Sequence, residues 1–254
     1  MKAAKILLAL TAAVCLAIAS PAPARAAPVQ AARVVLVHGV LIDGSSWRGV
    51  YDILVRRGFR VSVVQQPLTG FDDDVAATQR VIDQEDGPVV LVGHSYGGAV
   101  ITVAGTNPKV KALVYVAGLQ PDAGETSAEA APPKPPADKH LRVSSDGFVF
   151  VDPGHFRGDV AADLPRAQTD FMAHAQMPIK GEAFNVKLTV AAWHDKPSYA
   201  VIATEDQALD VERAKWMARR AGSKVTLVKG SHAVLISQPG AVARVIETAA
   251  SAIK

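Results

Sequence analysis

The feature that most restricts this chain is residues 89–98, VVLVGHSYGG. An unbroken aliphatic run leads straight into Gly93-His94-Ser95-Tyr96-Gly97-Gly98, and a segment rich in small residues follows, including Ala99 and Gly105. A buried strand, a turn of minimal length and a helix must succeed one another there, with Ser95 at the apex. Such a turn puts Ser95 in an unfavourable backbone conformation, and the glycines two positions either side let neighbouring elements approach. The outcome is a hydroxyl standing free above the end of a strand, where a nucleophile needs to be. A bare G-x-S-x-G arises by chance in roughly one chain in ten of this length, so the information lies in the strand before it and the helix after it.

The rest of the chain supplies a sheet for that turn to stand on. Strands are predicted over 33–38, 60–65, 89–93, 111–116, 198–203 and 224–228, all near-continuous apolar runs of the kind buried on both faces of a parallel sheet. Between them lie helical patterns. Residues 45–57 place Trp47, Val50 and Leu54 on one face, with Asp43 or Ser45 as cap and Gly58 just past the end. Asp72-Asp73-Asp74 precedes Val75, Gln79 and Ile82, and three acidic residues suit the positive end of a helix better than a metal site lacking other ligands. Val211, Ala214, Ala218 and Ala221 form another stripe, and Val242, Val245, Ile246, Ala249 and Ile253 the last. Regular alternation of this kind predicts an α/β fold, doubly wound about a six-stranded, mostly parallel sheet.

One stretch breaks the alternation. Residues 119–197 contain a proline-rich run (Pro132-Pro133-Lys134-Pro135-Pro136), a hairpin pattern over 143–151 turning at Asp146-Gly147, and an apolar helix over 164–175. They are predicted to form a cap inserted into a core made of 27–118 and 198–254. Phe148, Phe150, Phe156, Phe171, Met172, Met177, Phe184 and Trp193 are available to roof a pocket, about half of them being expected only to hold the cap to the core.

Residues 1–26 are set apart as a signal peptide. Lys2 and Lys5 precede an apolar run over 6–19, too short for a comfortable membrane span, and Ala24-Arg25-Ala26 offers a cleavage site. The expected location is therefore secreted or periplasmic, with no stable membrane insertion once the signal is removed. Of the 27 lysines and arginines, Lys2, Lys5 and Arg25 fall in this segment, so the remainder balance the 24 acidic residues. A neutral mature chain gives no reason to expect nucleic acid as a partner. The one cysteine, Cys15, also lies in the leader, which leaves no disulfide or thiol chemistry in the mature protein.

A serine hydroxyl needs a base. Of seven histidines, His38 ends the first strand, His94 is aimed away from Ser95 by the sharp turn, and His140, His155, His174 and His194 fall in the insertion. A loop histidine is ordinarily just solvated. His232, in Lys229-Gly230-Ser231-His232-Ala233, instead follows the last strand and reaches the sheet edge that carries Ser95. The strand over 198–203 runs into Thr204-Glu205-Asp206-Gln207, so Asp206 is the first choice to orient the imidazole. Glu205 is the near alternative, Asp210 lies one turn further on, and Asp122 follows a neighbouring strand. The oxyanion donors expected for acyl transfer are the N–H groups of Tyr96 and of Val40, in the loop His38-Gly39-Val40-Leu41. The Tyr96 side chain either packs against the cap or fills core space.

These segments (LVHGVLIDGSSW, LVGHSYGGAV, ATEDQAL and GSHAVLISQP) resemble the α/β-hydrolase superfamily, and within it the branch of plant methylesterases, hydroxynitrile lyases and bacterial esterases. The similarity runs over 34–253 and is weakest across the cap. It implies the α/β-hydrolase fold, a six-stranded core and a Ser95–His232–Asp206 triad, and it supports Val40 and Tyr96 as donors and Asp206 over Glu205. It also makes carboxylic ester hydrolysis the default, with a small, fairly apolar ester as substrate and no metal or organic cofactor. Two positions depart from the lyases, which carry a threonine and a lysine where this chain has Gly39 and Ala233. Lyase-like or perhydrolase chemistry on the same side chains, or ligand capture without turnover, are the alternatives. Dehalogenases and epoxide hydrolases need an aspartate where Ser95 stands.

Overall fold

Each predicted strand forms, within a residue or two of its expected bounds. The first half of the chain gives β1 (Arg33–Val37), α1 (Arg48–Arg56), β2 (Arg60–Val64), α2 (Phe71–Gln84), β3 (Val89–His94), α3 (Tyr96–Ala104) and β4 (Val110–Val116). An insertion follows, with α4 (Ser127–Ala130), β5 (Leu141–Val143), β6 (Phe148–Val151), α5 (Pro153–Val160), α6 (Arg166–His174) and β7 (Ile179–Lys180). The chain ends with β8 (Ser198–Ala203), α7 (Val211–Arg220), β9 (Lys224–Val228), α8 (Val234–Ser237) and α9 (Pro239–Ala252). The computed structural model describes residues 33–132 and 140–253. The expected leader with Cys15, the first residues assigned to the core, and Pro133, Pro135 and Pro136 lie outside them.

The six core strands line up as β2-β1-β3-β4-β8-β9, and every pairing is parallel. Side chains alternate across this sheet into two cores. Val35, Val37, Leu91, Leu113 and Tyr115 pack with α2, α3 and α7, whereas Val34, Leu36, Val90, Val92 and Val114 pack with α1 and α9. Apolar residues on both faces are thus what doubly wound packing requires. Burial on both faces does not extend to the rims, however. In β9 only Val228 is buried and Leu227 is 54% exposed, because the strand has a neighbour on one side only.

Local chemistry fixes the helix ends. The Asp43 side chain accepts the Ser45 N–H before a short 3₁₀ turn that leads into α1. The acidic cluster does open α2, but Asp74 differs from its neighbours: it is fully buried and turned towards α3. In the insertion, β5, β6 and β7 make a small antiparallel sheet. Its hairpin turns at Gly147, whose φ of +84° explains the glycine. Backbone hydrogen bonds seat the insertion on the core, among them Leu41 N–H to Met177 O at 3.0 Å, Lys180 N–H to Leu68 O at 2.9 Å and Ala233 N–H to Val160 O at 3.0 Å. Among the described residues no helix is long and apolar enough to cross a membrane.

Candidate active site

Ser95 sits at the joint of β3 and α3 with φ +52° and ψ −125°, a disfavoured conformation for a residue with a side chain. The flanking glycines are a steric necessity. A Cβ on Gly93 would lie 2.4 Å from the Gly97 carbonyl oxygen, and one on Gly97 would lie 2.5 Å from that of His38. The turn is tied to the next strand, since Ser95 N–H donates to Val116 O at 3.2 Å and Ser95 O accepts from Leu119 N–H at 2.9 Å.

His232 comes to this turn from the loop after β9. Ser95 Oγ lies 2.8 Å from His232 Nε2, and His232 Nδ1 lies 2.7 Å from Asp206 Oδ2. With Nδ1–H donating to the carboxylate, Nε2 presents its lone pair to the serine hydroxyl. Asp206 is buried, and its other oxygen accepts the N–H groups of Ala208 at 2.9 Å and Leu209 at 2.8 Å. That clamp aims Oδ2 at the imidazole. The three other carboxylates are engaged elsewhere. Glu205 points to solvent near Lys229, Asp122 bonds His194, and Asp210 caps α7 through the Arg213 N–H.

Residues outside the Ser95–His232–Asp206 chain support it. His94 does point away from Ser95, but it passes beneath His232, with ring centroids 4.9 Å apart, and its Nε2–H donates to the His232 carbonyl at 3.0 Å. Burial, reinforced by His232, pushes the His94 pKa well below the usual value, so the ring is neutral. Asp163 takes the Ser231 N–H at 3.1 Å and the Ser231 hydroxyl, which anchors the loop one residue before His232. Burial pushes the Asp163 pKa up, but the hydrogen bonds from the serine side outweigh it and hold the carboxyl below its usual value. No spacing or periodicity pointed to Asp163, because it lies in the insertion and 68 positions from its partner.

The loop after β1 adjoins the turn closely enough that a Cβ on Gly39 would lie 2.7 Å from Ser95 Cβ. Buried His38 stiffens this loop, with Nδ1–H donating to Gly39 O at 2.7 Å and Nε2 accepting the Gln66 N–H at 3.0 Å. Among the described residues the Val40 N–H has no backbone acceptor. Tyr96 is the first residue of α3, so no carbonyl one turn back takes its N–H either. Both readings of the Tyr96 side chain hold: its ring packs edge-on against Phe71 in the core and Phe184 in the insertion. Its hydroxyl donates to Asp74 Oδ2 at 2.8 Å, while Asp74 Oδ1 accepts the Leu68 N–H at 2.8 Å. A buried tyrosine beside Ser95 needs an acceptor, which is the signal that could have singled out Asp74.

Ser95 and His232 open into an apolar cavity of about 170 Å³. Val40, Leu119, Leu141, Val160, Phe184 and Leu209 are among its walls. Of the eight large side chains available to roof a pocket, about half of them expected only to hold the cap to the core, Phe184 alone lines it. Phe156 is buried in the insertion's own core, Trp193 donates its ring N–H to Pro121 O at 2.9 Å, and Phe171 is 73% exposed. The described residues include no group of three or more His, Cys, Asp or Glu side chains able to hold a metal ion.

The chain resembles known proteins over most of its length. It is 24% identical over 258 residues to the pyrethroid hydrolase of Sphingobium wenxiniae, covering 86% of this chain and 88% of that protein. The carbendazim hydrolyzing esterase of Nocardioides sp. is 28% identical over 176 residues, covering 64% of this chain and 66% of the esterase. The crystal structure of polyneuridine aldehyde esterase superposes with a TM-score of 0.74 at 20% identity, covering 86% of this chain and 99% of the other. The alpha/beta hydrolase family model matches residues 34–245, from β1 into α9. With that match and a six-stranded parallel sheet bearing the serine turn, this chain belongs to the alpha/beta hydrolase family.

Proposed function

We propose that the protein is a serine esterase that cleaves small, fairly apolar carboxylic esters through an acyl-enzyme on Ser95. The observation carrying this reading is the unbroken hydrogen-bond chain from Ser95 Oγ through His232 to Asp206, opening into an apolar cavity. His232 Nε2 accepts the hydroxyl proton as Ser95 Oγ attacks the ester carbonyl carbon, and Asp206 stabilises the imidazolium that forms. Negative charge developing on the carbonyl oxygen is received by the N–H groups of Val40 and Tyr96. Collapse expels the alcohol, which takes the proton from His232; water then attacks the acyl-enzyme with the same base and releases the acid. Every proton in the cycle moves between Ser95, His232, substrate and water, so no metal or cofactor takes part.

Relatives described as a carbendazim hydrolyzing esterase and a pyrethroid hydrolase support this chemistry. Ala233, in the wall of the cavity, offers no cation to a leaving cyanide, which counts against a lyase. Export follows from the leader-like residues 1–26, and the core-and-cap organisation from 119–197 interrupting the strand–helix alternation. The test is turnover of p-nitrophenyl acetate and butyrate, together with labelling by a fluorophosphonate, in wild type and Ser95→Ala. Turnover and labelling that vanish in the variant are expected. A folded wild type showing neither overturns the reading and leaves a binding protein.

A further inference from the structure

Three cavities meet at one side chain. Besides the cavity of about 170 Å³ at Ser95, there is one of about 270 Å³ reaching Gln168, Met172 and Ala175, and one of about 230 Å³ reaching Ala128, Val149 and Ile179. Ser95 lines only the first, and Leu41 lines all three. Leu41 has φ +67°, which a residue with a Cβ rarely adopts and which glycine would take without strain. Its N–H is fixed to Met177 O at 3.0 Å, and its side chain packs with Met172 and Ile236 against the core of the insertion. Strain of this kind persists where the surroundings over-determine it, typically beside a site of function. Here it holds an apolar side chain at the junction of the chambers, next to Val40.

The size of the Ser95 cavity is the second half of the argument. At about 170 Å³ it is comparable with the ~150 Å³ apolar cavity that holds a benzene ring. One compact limb of an ester fits there, and Leu41 stands between it and both neighbouring chambers; Ile42 also borders the first of these, and Val40, Ala131, Leu141 and Phe184 the second. We propose that Leu41 is the partition that sets which esters the enzyme accepts: compact ones in the wild type, with the two adjoining chambers held in reserve behind its side chain. This inference rests on the reading of Ser95 as an ester-cleaving nucleophile and adds to it the residue that limits substrate size.

The experiment compares wild type with Leu41→Ala and with Leu41→Gly, the latter suited to φ +67° and carrying the same expectation where alanine lowers folded yield. Two substrate series are used: p-nitrophenyl esters from acetate to dodecanoate, and the acetates of phenol and 1-naphthol. In at least one series, the kcat/KM ratio of large to small substrate should rise roughly tenfold or more, the scale of a pocket change of a methylene upwards. Adding Ala175→Trp or Ala128→Trp to Leu41→Ala fills one chamber or the other, and one of the two should return the ratio to the wild-type value. Ratios within about twofold of wild type in folded variants overturn the partition, as does a gain that survives both fillers. An active, labelled wild type with unchanged variant ratios sinks the partition alone. A wild type without turnover or labelling removes the esterase reading and the partition with it.

Discussion

Asp74 is a buried carboxylate whose cost can be worked out and measured. It is fully buried, and among the described residues its carboxylate is met by the Leu68 N–H and the Tyr96 hydroxyl, each at 2.8 Å. Burial raises its pKa from 3.8 to about 6, and the negative charge of Asp73 adds to the rise; the two hydrogen bonds oppose it without cancelling it. The folded state therefore holds this proton more tightly than the unfolded chain does. Between about pH 4 and pH 6 the folded form binds more protons, so stability falls as pH rises through that window and the loss is complete above it. A shift of about two units corresponds to roughly 3 kcal/mol.

Asp74→Asn keeps an oxygen for the Leu68 N–H and removes the charge. Turning an amide towards the Tyr96 hydroxyl costs about 1 kcal/mol in hydrogen bonding. The variant should thus be more stable than wild type by about 2 kcal/mol at pH 8, or roughly 4–8 °C in Tm for a domain of this size. At pH 4.5 wild-type Asp74 is already protonated when folded, so the advantage should shrink to near zero. Urea and thermal unfolding of both proteins at pH 4.5, 6 and 8 measure this, and the difference between them isolates Asp74 from other titrating groups. A stability difference that stays flat from pH 4.5 to pH 8 would refute the reasoning.

Other perturbations separate orientation, strain and anchoring. Asp206→Asn should lower kcat on p-nitrophenyl acetate by about 10⁴, because the amide no longer selects the imidazole tautomer whose Nε2 faces Ser95; a near-normal rate would move the role to Glu205 or Asp122. Ser95→Gly and Ser95→Ala should both be inactive, but glycine relieves the positive φ of +52° and should be the more stable by roughly 1 kcal/mol in thermal unfolding. Equal melting temperatures would show that the turn is not strained. Asp163→Asn removes an acceptor from the Ser231 pair and should cost about 1–2 kcal/mol of stability. It should also lower kcat more than it raises KM, since the loop that holds His232 loosens; an unchanged kcat would show the anchor to be structural only.

What could be read from the sequence follows from what the backbone demands of residue type. A strand buried on both faces needs a run such as Val89–Val92, and a turn at which a Cβ on Gly97 would lie under 3 Å from the backbone of Val37 and His38 tolerates no side chain, so the β3–Ser95–α3 joint is written in the sequence. Placement at one sheet edge then follows from parallel topology, which is why His232 was within reach of inference. The choice among Asp206, Glu205, Asp122 and Asp210 was not, since all four lie near strand ends or helix starts on that side. It turns on a local fold, the turn in which Asp206 Oδ1 takes two N–H groups and leaves Oδ2 for the imidazole.

The insertion was least legible for the same physical reason. β7 is two residues long, too short to show a period, and it exists because Phe148 and Val149 offer it a strand to pair with. Asp74 shows a further limit: the pattern of Asp72, Asp73 and Asp74 was explained by the helix end alone, and that explanation suffices for the first two. The third is accounted for by the Leu68 N–H and by the tyrosine at position 96, and Asp74 and Tyr96 belong to one arrangement although 22 positions separate them. A buried hydroxyl next to a nucleophile calls for an acceptor somewhere in the chain, and pairing such needs is a stronger guide to a site's support than the periodicity of either segment taken alone.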